Sequence, residues 1–131
     1  LPNQIQGDVY TGTDTVEYLA KGVPDRVFFA TNESVLTTAS RDTLRKQAAW
    51  MRTNDSLSFT IEGHADERGT REYNLALGER RANAAKDYLM TYGISGNRLS
   101  VISYGKERPV NSGSNPLAWS QNRRSVTVKA N

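Results

Sequence analysis

The 131-residue sequence contains no cysteine, which removes disulfide frameworks, thiol nucleophiles and cysteine-based metal sites together. It has one histidine, His64, so the shell of two or three histidines usual for catalytic zinc is out of reach. No apolar run approaches the roughly 20 residues that a membrane span requires, and no signal-peptide pattern stands at Leu1. Neither sign of charge dominates: 17 lysines and arginines stand against 14 acids, a net charge of +3. The bases are interleaved with Glu62, Asp66, Glu67, Glu72 and Glu79. Without a zinc-finger or RNA-recognition pattern beside them, nothing supports nucleic-acid binding. What is present, 37% hydrophobic and 24% charged residues, is ordinary for one globular domain with a single modest core.

The patterning alternates helix with strand. Leu1 to Gly7 is polar and unpatterned, as at the end of a flexible tether. Thr13 to Gly22 fits a short helix stopped by Gly22 and Pro24. Arg26 to Phe29 reads as a brief apolar strand, and Thr37 to Arg52 as an amphipathic helix with Leu44, Ala48 and Met51 on its apolar side. Leu57 to Gly63 alternates apolar with polar residues, the mark of a half-buried strand, and His64 to Thr70 is the loop after it. A long helix over Glu72 to Tyr92 stops near Gly93. Leu99 to Tyr104 and Ser125 to Lys129 are further strands, separated by a loop rich in glycine, proline and asparagine and one helical turn over Leu117 to Asn122. Two long helices alternating with strands predict an α/β fold, an α+β sandwich with the helices on one face of a mixed sheet.

Asp66 therefore stands at a strand exit, with Arg81 fifteen residues further on. Winding the long helix at about 100° per residue gathers Leu77, Ala85, Tyr88, Leu89 and Tyr92 in one apolar sector, with Glu79, Arg80, Asn83 and Asp87 outside it. Arg81 falls inside that sector. An uncompensated guanidinium against apolar surface costs several kcal/mol, so an anionic partner is expected. That partner is Asp66 held permanently, pinning loop to helix, or the carboxylate of a ligand. In the second case Asp66 and Arg81 form a dipolar clamp, in which the planar fork of arginine meets a carboxylate through two parallel hydrogen bonds. Tyr73, Tyr88 and Tyr92 read as core rather than as a stacking platform. Trp50 and Trp119 carry no assignment.

The run Gly63-His-Ala-Asp66-Glu-Arg-Gly-Thr70, continuing through Asn74-Leu-Ala-Leu77 to Arg80-Arg81-Ala82, resembles the core signature of OmpA-like peptidoglycan-binding domains. More narrowly, Asp66-Glu-Arg-Gly-Thr70, Glu72-Tyr-Asn74, Ser103-Tyr-Gly105 and Asn122-Arg-Arg124 resemble the peptidoglycan-associated lipoprotein branch. The likeness runs from about Val27 to Val128 with the motifs in the family's order. Two departures stand out: His64 replaces the family's threonine or asparagine, and Ala30-Thr31-Asn32 replaces an acidic or asparagine-led run.

The resemblance implies the OmpA-like fold with a mixed four-stranded sheet over residues 25–131, and a tether remnant with a short helix over residues 1–24. It implies non-enzymatic binding of the peptidoglycan peptide stem through its diaminopimelate residue, with Asp66 taking the ammonium and Arg81 the carboxylate. Phe29, Ala30, Thr31 and Leu77 would complete the contacts. Asn122 and one arginine are read as tying the last strand to the loop after Asp66, and because the motif borders the family's pocket, Arg123 is a secondary ligand candidate. No catalytic residue, cofactor or metal is implied. A TolB-like periplasmic protein and TolA are the implied protein partners, and the outer membrane, reached through an N-terminal lipid anchor, is the implied location. That anchor is not in this sequence, so a soluble fragment is expected. The rival function is a cell-wall hydrolase in the same pocket, for which Glu62, Asp66 and Glu67 are carboxylates of the right type.

Overall fold

Alternation along the strand that leads to Asp66 buries Phe59 and Ile61 completely, and this strand, β6 (Phe59–His64), lies inside a four-stranded sheet. The computed structural model describes residues 4–131. In chain order the described strands before β6 are β1 (Ile5–Gln6), β2 (Val9–Tyr10), β3 (Tyr18–Ala20), β4 (Val23–Pro24) and β5 (Arg26–Phe28). After it come β7 (Leu99–Gly105) and β8 (Arg124–Lys129). The main sheet has the order β5-β8-β6-β7. β6 and β7 run parallel, with Ile61 opposite Val101, and β8 is antiparallel to both β5 and β6. This is the mixed sheet that the sequence pattern predicts.

Two long helices cover one face of the sheet. α1 (Thr38–Thr53) is capped by the Thr37 side chain, which accepts from the Ser40 amide, and α2 (Arg71–Thr91) is capped by Thr70, which accepts from the Tyr73 amide. Each cap satisfies one of the amides left unpaired at a helix start. Leu44, Ala48 and Met51 of α1 and Ala82, Ala85 and Leu89 of α2 meet Val27, Phe29, Phe59, Ile61 and Leu99 in one core. α2 also connects the parallel pair β6 and β7, as a crossover between parallel strands must.

Glycine fixes how closely α2 sits on the sheet. A Cβ on Gly63 would fall 1.6 Å from the Gly78 carbonyl oxygen, and one on Gly78 would fall 2.3 Å from Ser103 Oγ. The helix backbone thus rests on the strand backbone one turn before Arg81.

Several elements differ from the sequence-based expectation. Thr13 to Gly22 is no helix: β3 and β4 form an antiparallel hairpin, with Gly22 at φ +76° in its turn. Gly22 thus ends a strand where it was read as ending a helix. Ile5–Gln6 pairs with Val9–Tyr10, so the tether reading applies at most to residues 1–3, which lie outside the described residues. The single turn expected at Leu117 is the seven-residue helix α3 (Pro116–Asn122), with Asn115 as its cap. Tyr73 and Tyr92 are 41% and 39% exposed rather than core, while Tyr88 packs partly buried against it. Trp50 also packs on the core, its ring edge-on to Phe59.

Since the obstruction at Gly63 is backbone, Gly63→Ala is expected to lower stability by about 3 kcal/mol or more, measured by urea denaturation. A loss under about 0.5 kcal/mol, the range of an ordinary surface substitution, would show that α2 does not depend on this contact.

Candidate functional site

Arg81 lies on the buried side of α2, as the helical wheel places it, and its side chain is fully buried. Its Nε donates to the Glu33 carbonyl at 2.8 Å, Nη1 to the His64 carbonyl at 2.9 Å and Nη2 to the Ala30 carbonyl at 3.0 Å. The guanidinium lies 5.3 Å from the centre of the Phe29 ring. Among the described residues no carboxylate lies within ion-pairing distance of it. The permanent Asp66–Arg81 ion pair is thus not formed. Burial, reinforced by the nearby Arg123 charge, pushes the Arg81 guanidinium down to about 10, with Asp66 offsetting part of the effect. The site holds a charge that backbone dipoles solvate and that, among the described residues, no directly paired anion neutralises.

Asp66, 6% exposed, takes its partners elsewhere. Oδ1 accepts the Arg68 amide at 3.0 Å and Arg68 Nε at 3.2 Å, and Oδ2 accepts Arg68 Nη2 and Arg123 Nη1, each at 2.9 Å. Burial alone would raise its pKa. The hydrogen bonds from Arg68 and Arg123 outweigh it and hold the carboxyl below its ordinary value. Arg123 is fixed in turn, donating from Nε to the Phe29 carbonyl at 3.0 Å and from Nη2 to the Asp8 carbonyl. The Arg68 guanidinium is stacked 4.1 Å from the Trp119 ring centre and also reaches Thr31 Oγ1 at 3.3 Å.

The loop carrying Asp66 is shaped by Gly69 at φ +93°, a conformation open to glycine. Asn74 Nδ2 fastens the same loop to α2 by donating to the Arg68 and Thr70 carbonyls at 2.8 and 2.9 Å.

Asp66 and Arg81 line one cavity of about 250 Å³, together with Thr31, Leu77 and Arg123. Phe29 and Ala30 do not line it; their carbonyls hold Arg123 and Arg81. Asn32, Arg68, Gly69, Tyr73 and Asn74 complete the wall and were not assigned as ligand contacts from sequence. A larger hollow of about 590 Å³, between the N-terminal segment and α1, is lined largely by apolar and hydroxyl side chains such as Tyr10, Val16, Phe28 and Thr43. The smaller cavity is the candidate because one carboxylate and three guanidiniums converge on it.

Asn122 does not tie the last strand to the Asp66 loop. Its side chain accepts from the Val110 and Asn111 amides at 2.8 and 3.1 Å, and the tie to Asp66 is made by Arg123 alone. Glu62 is engaged by His64 Nε2 at 3.0 Å and Glu67 by Trp119 Nε1 at 2.7 Å, and neither lines the cavity. The opposed carboxylates that glycoside hydrolysis uses are not assembled there.

With a folded pKa below 3.8, Asp66 contributes stability that is whole above that value and is lost as pH falls through the folded pKa. The stability difference between wild type and Asp66→Asn, from urea denaturation, is expected to shrink between about pH 6 and pH 2.5. An undiminished difference would show that the ionised carboxylate adds nothing.

Comparison with known proteins identifies the family and the fold. The OmpA family pattern matches residues 28–123. The peptidoglycan-associated lipoprotein of Rhizobium meliloti strain 1021 is 55% identical over 106 residues, covering 81% of this chain and 60% of that protein. The protein of the same name from Brucella melitensis is also 55% identical over 106 residues, covering 81% and 63%. The chain thus spans about six-tenths of the length of these curated relatives. The crystal structure of the peptidoglycan-associated lipoprotein from Burkholderia pseudomallei superposes with a TM-score of 0.78 at 34% identity, covering 80% of this chain and 89% of that one. The C-terminal domain of Helicobacter pylori MotB, at 18% identity and TM-score 0.76 over 82% of this chain and 84% of its own, shares the fold. The chain belongs to the OmpA family, and its resemblance within that family is to the peptidoglycan-associated lipoproteins.

Proposed function

We propose that this domain binds the peptide stem of peptidoglycan without covalent chemistry, gripping the diaminopimelate residue between Asp66 and Arg81. The observation that carries the reading is Arg81: a fully buried guanidinium beside a cavity, hydrogen-bonded to three carbonyls and to no carboxylate. Three bonds leave two of its five N–H groups for a ligand. Asp66 on the same cavity offers the complementary charge for an ammonium, and Leu77 and Thr31 supply walls for the methylene chain between them. The relatives' names, which pair peptidoglycan with a lipoprotein, support the same reading.

On this proposal the domain tethers the outer membrane to the cell wall from the periplasmic side, through a lipid anchor carried outside this sequence. It works within the Tol-Pal system in envelope integrity and division, with a TolB-like protein and TolA as partners. Among the described residues no helix is long and apolar enough to cross a membrane. The TolB-like partner is proposed to share the wall-binding surface, so titrating it in should release a bound diaminopimelate peptide; simultaneous saturation with both would refute shared binding.

Calorimetric titration with the tripeptide alanyl-γ-D-glutamyl-diaminopimelate tests the clamp. Arg81→Ala is expected to lose most affinity, about 2–5 kcal/mol for a buried hydrogen-bonded charge partner. Arg81→Lys should fail as well, because a point charge cannot reproduce the fork. Circular dichroism on each variant separates lost binding from lost folding, and normal affinity in a folded variant rejects the clamp. Incubation with purified sacculi decides against the hydrolase: a tether co-sediments with the wall, whereas release of soluble fragments that vanishes in Asp66→Ala would favour an enzyme.

A further inference from the structure

Asp66 has no acceptor position to spare. A carboxylate offers about four lone-pair sites, and its two oxygens already take four N–H donors. An ammonium arriving at Asp66 must therefore displace a donor. The Arg68 amide is set by the backbone of the loop. The Arg123 side chain is 3% exposed and anchored to the Phe29 and Asp8 carbonyls. The two remaining donors both belong to the side chain of Arg68, which is 43% exposed and stands on the cavity wall.

We infer that Arg68 is an exchangeable counter-ion of Asp66: the ligand's ammonium displaces it, and the freed guanidinium takes a second carboxylate on the ligand. The inference rests on the assignment of the ammonium to Asp66 made above, and it adds a specificity. In a peptidoglycan stem the acidic residue preceding the diamino acid carries an α-carboxylate, free in some walls and amidated in others. The domain selects the free form.

Charge in the cavity supports this. One carboxylate faces three guanidiniums, and a bound zwitterion leaves that excess unchanged. A second ligand carboxylate lowers it. Two further acids, Asp8 and Glu67, act on Arg68 only at a distance and are not paired with it: Asp8 Oδ2 accepts the Thr31 amide at 2.8 Å and Glu67 Oε2 the Trp119 indole at 2.7 Å. Displaced from Asp66, Arg68 remains at the cavity mouth, between Thr31 and Trp119.

The test titrates wild type, Arg68→Gln and Arg81→Ala with alanyl-γ-D-glutamyl-diaminopimelate and with the same tripeptide amidated at the glutamyl α-carboxylate. Wild type is expected to bind the free peptide about tenfold more tightly, the scale of one charge-assisted hydrogen bond. In Arg68→Gln the preference is expected to fall to about threefold or less, chiefly because the amidated peptide now binds better than it does to wild type. The free peptide should also shift the indole N–H resonance of Trp119 in wild type, as the Arg68 guanidinium turns from Asp66 and changes its seat on that ring, with Trp50 as the internal control. An unchanged preference in Arg68→Gln, no preference in wild type, or loss of both peptides by a folded Arg68→Gln would each overturn the exchange. If wild type binds neither peptide, or Arg81→Ala binds as well as wild type, the clamp itself falls and this inference with it.

Discussion

A charged guanidinium closed off from water organises this domain. Arg81 joins the middle of α2 to the carbonyl at the end of β6 and to two carbonyls in the loop after β5. Those segments are far apart in sequence, so placing this side chain fixes the cavity's rear wall. Interior charges are costly unless their hydrogen bonds are met, and here peptide dipoles meet three of them. Dipoles solvate the charge without cancelling it. The result is a site with a positive potential already in place before any ligand arrives, which lessens the reorganisation that binding requires.

The second layer of the site is a chain of arginines around one acid. Arg123 is held by the Phe29 and Asp8 carbonyls and Arg68 by the Trp119 ring, and both meet on Asp66. The N-terminal segment is part of this arrangement, since Asp8 contacts both Arg123 and the Thr31 amide. The turn between β1 and β2 therefore braces the site. Such a network couples the loop after β5, the loop after β6 and the end of α3, three segments that the sheet alone does not connect.

Much of this was legible in the sequence, for identifiable reasons. Periodicity marked α1 and β6 clearly and α2 more weakly, and the wheel put Arg81 among apolar residues because helical geometry leaves one answer for each position. Asp66 at a strand exit followed from alternation. The hairpin β3–β4 was not legible, because it is short and a glycine suits a strand turn as well as a helix stop. Tyr73 and Tyr92 misled because they sit near the ends of α2, where the helix outruns the core. Periodicity carries no information about loop side chains, so Arg68, two residues from Asp66, stood within the motif but was given no place in the pocket. That an arginine of Asn122-Arg123-Arg124 ties the last strand to the Asp66 loop was expected, but which one was not: with β8 next to β6 it is Arg123, 57 residues from Asp66.

The grip on Arg81 by carbonyl oxygens bears on how freely the surrounding segment can drift. Every residue type presents the same peptide oxygen, so the exchange of side chains at Ala30, Glu33 or His64 leaves that cradle chemically unaltered so long as the backbone path is kept. Other side chains could thus stand at Ala30, Glu33 or His64 without costing the cation a single partner. What the site requires at these positions is the course of the main chain, whatever side chains line the rim.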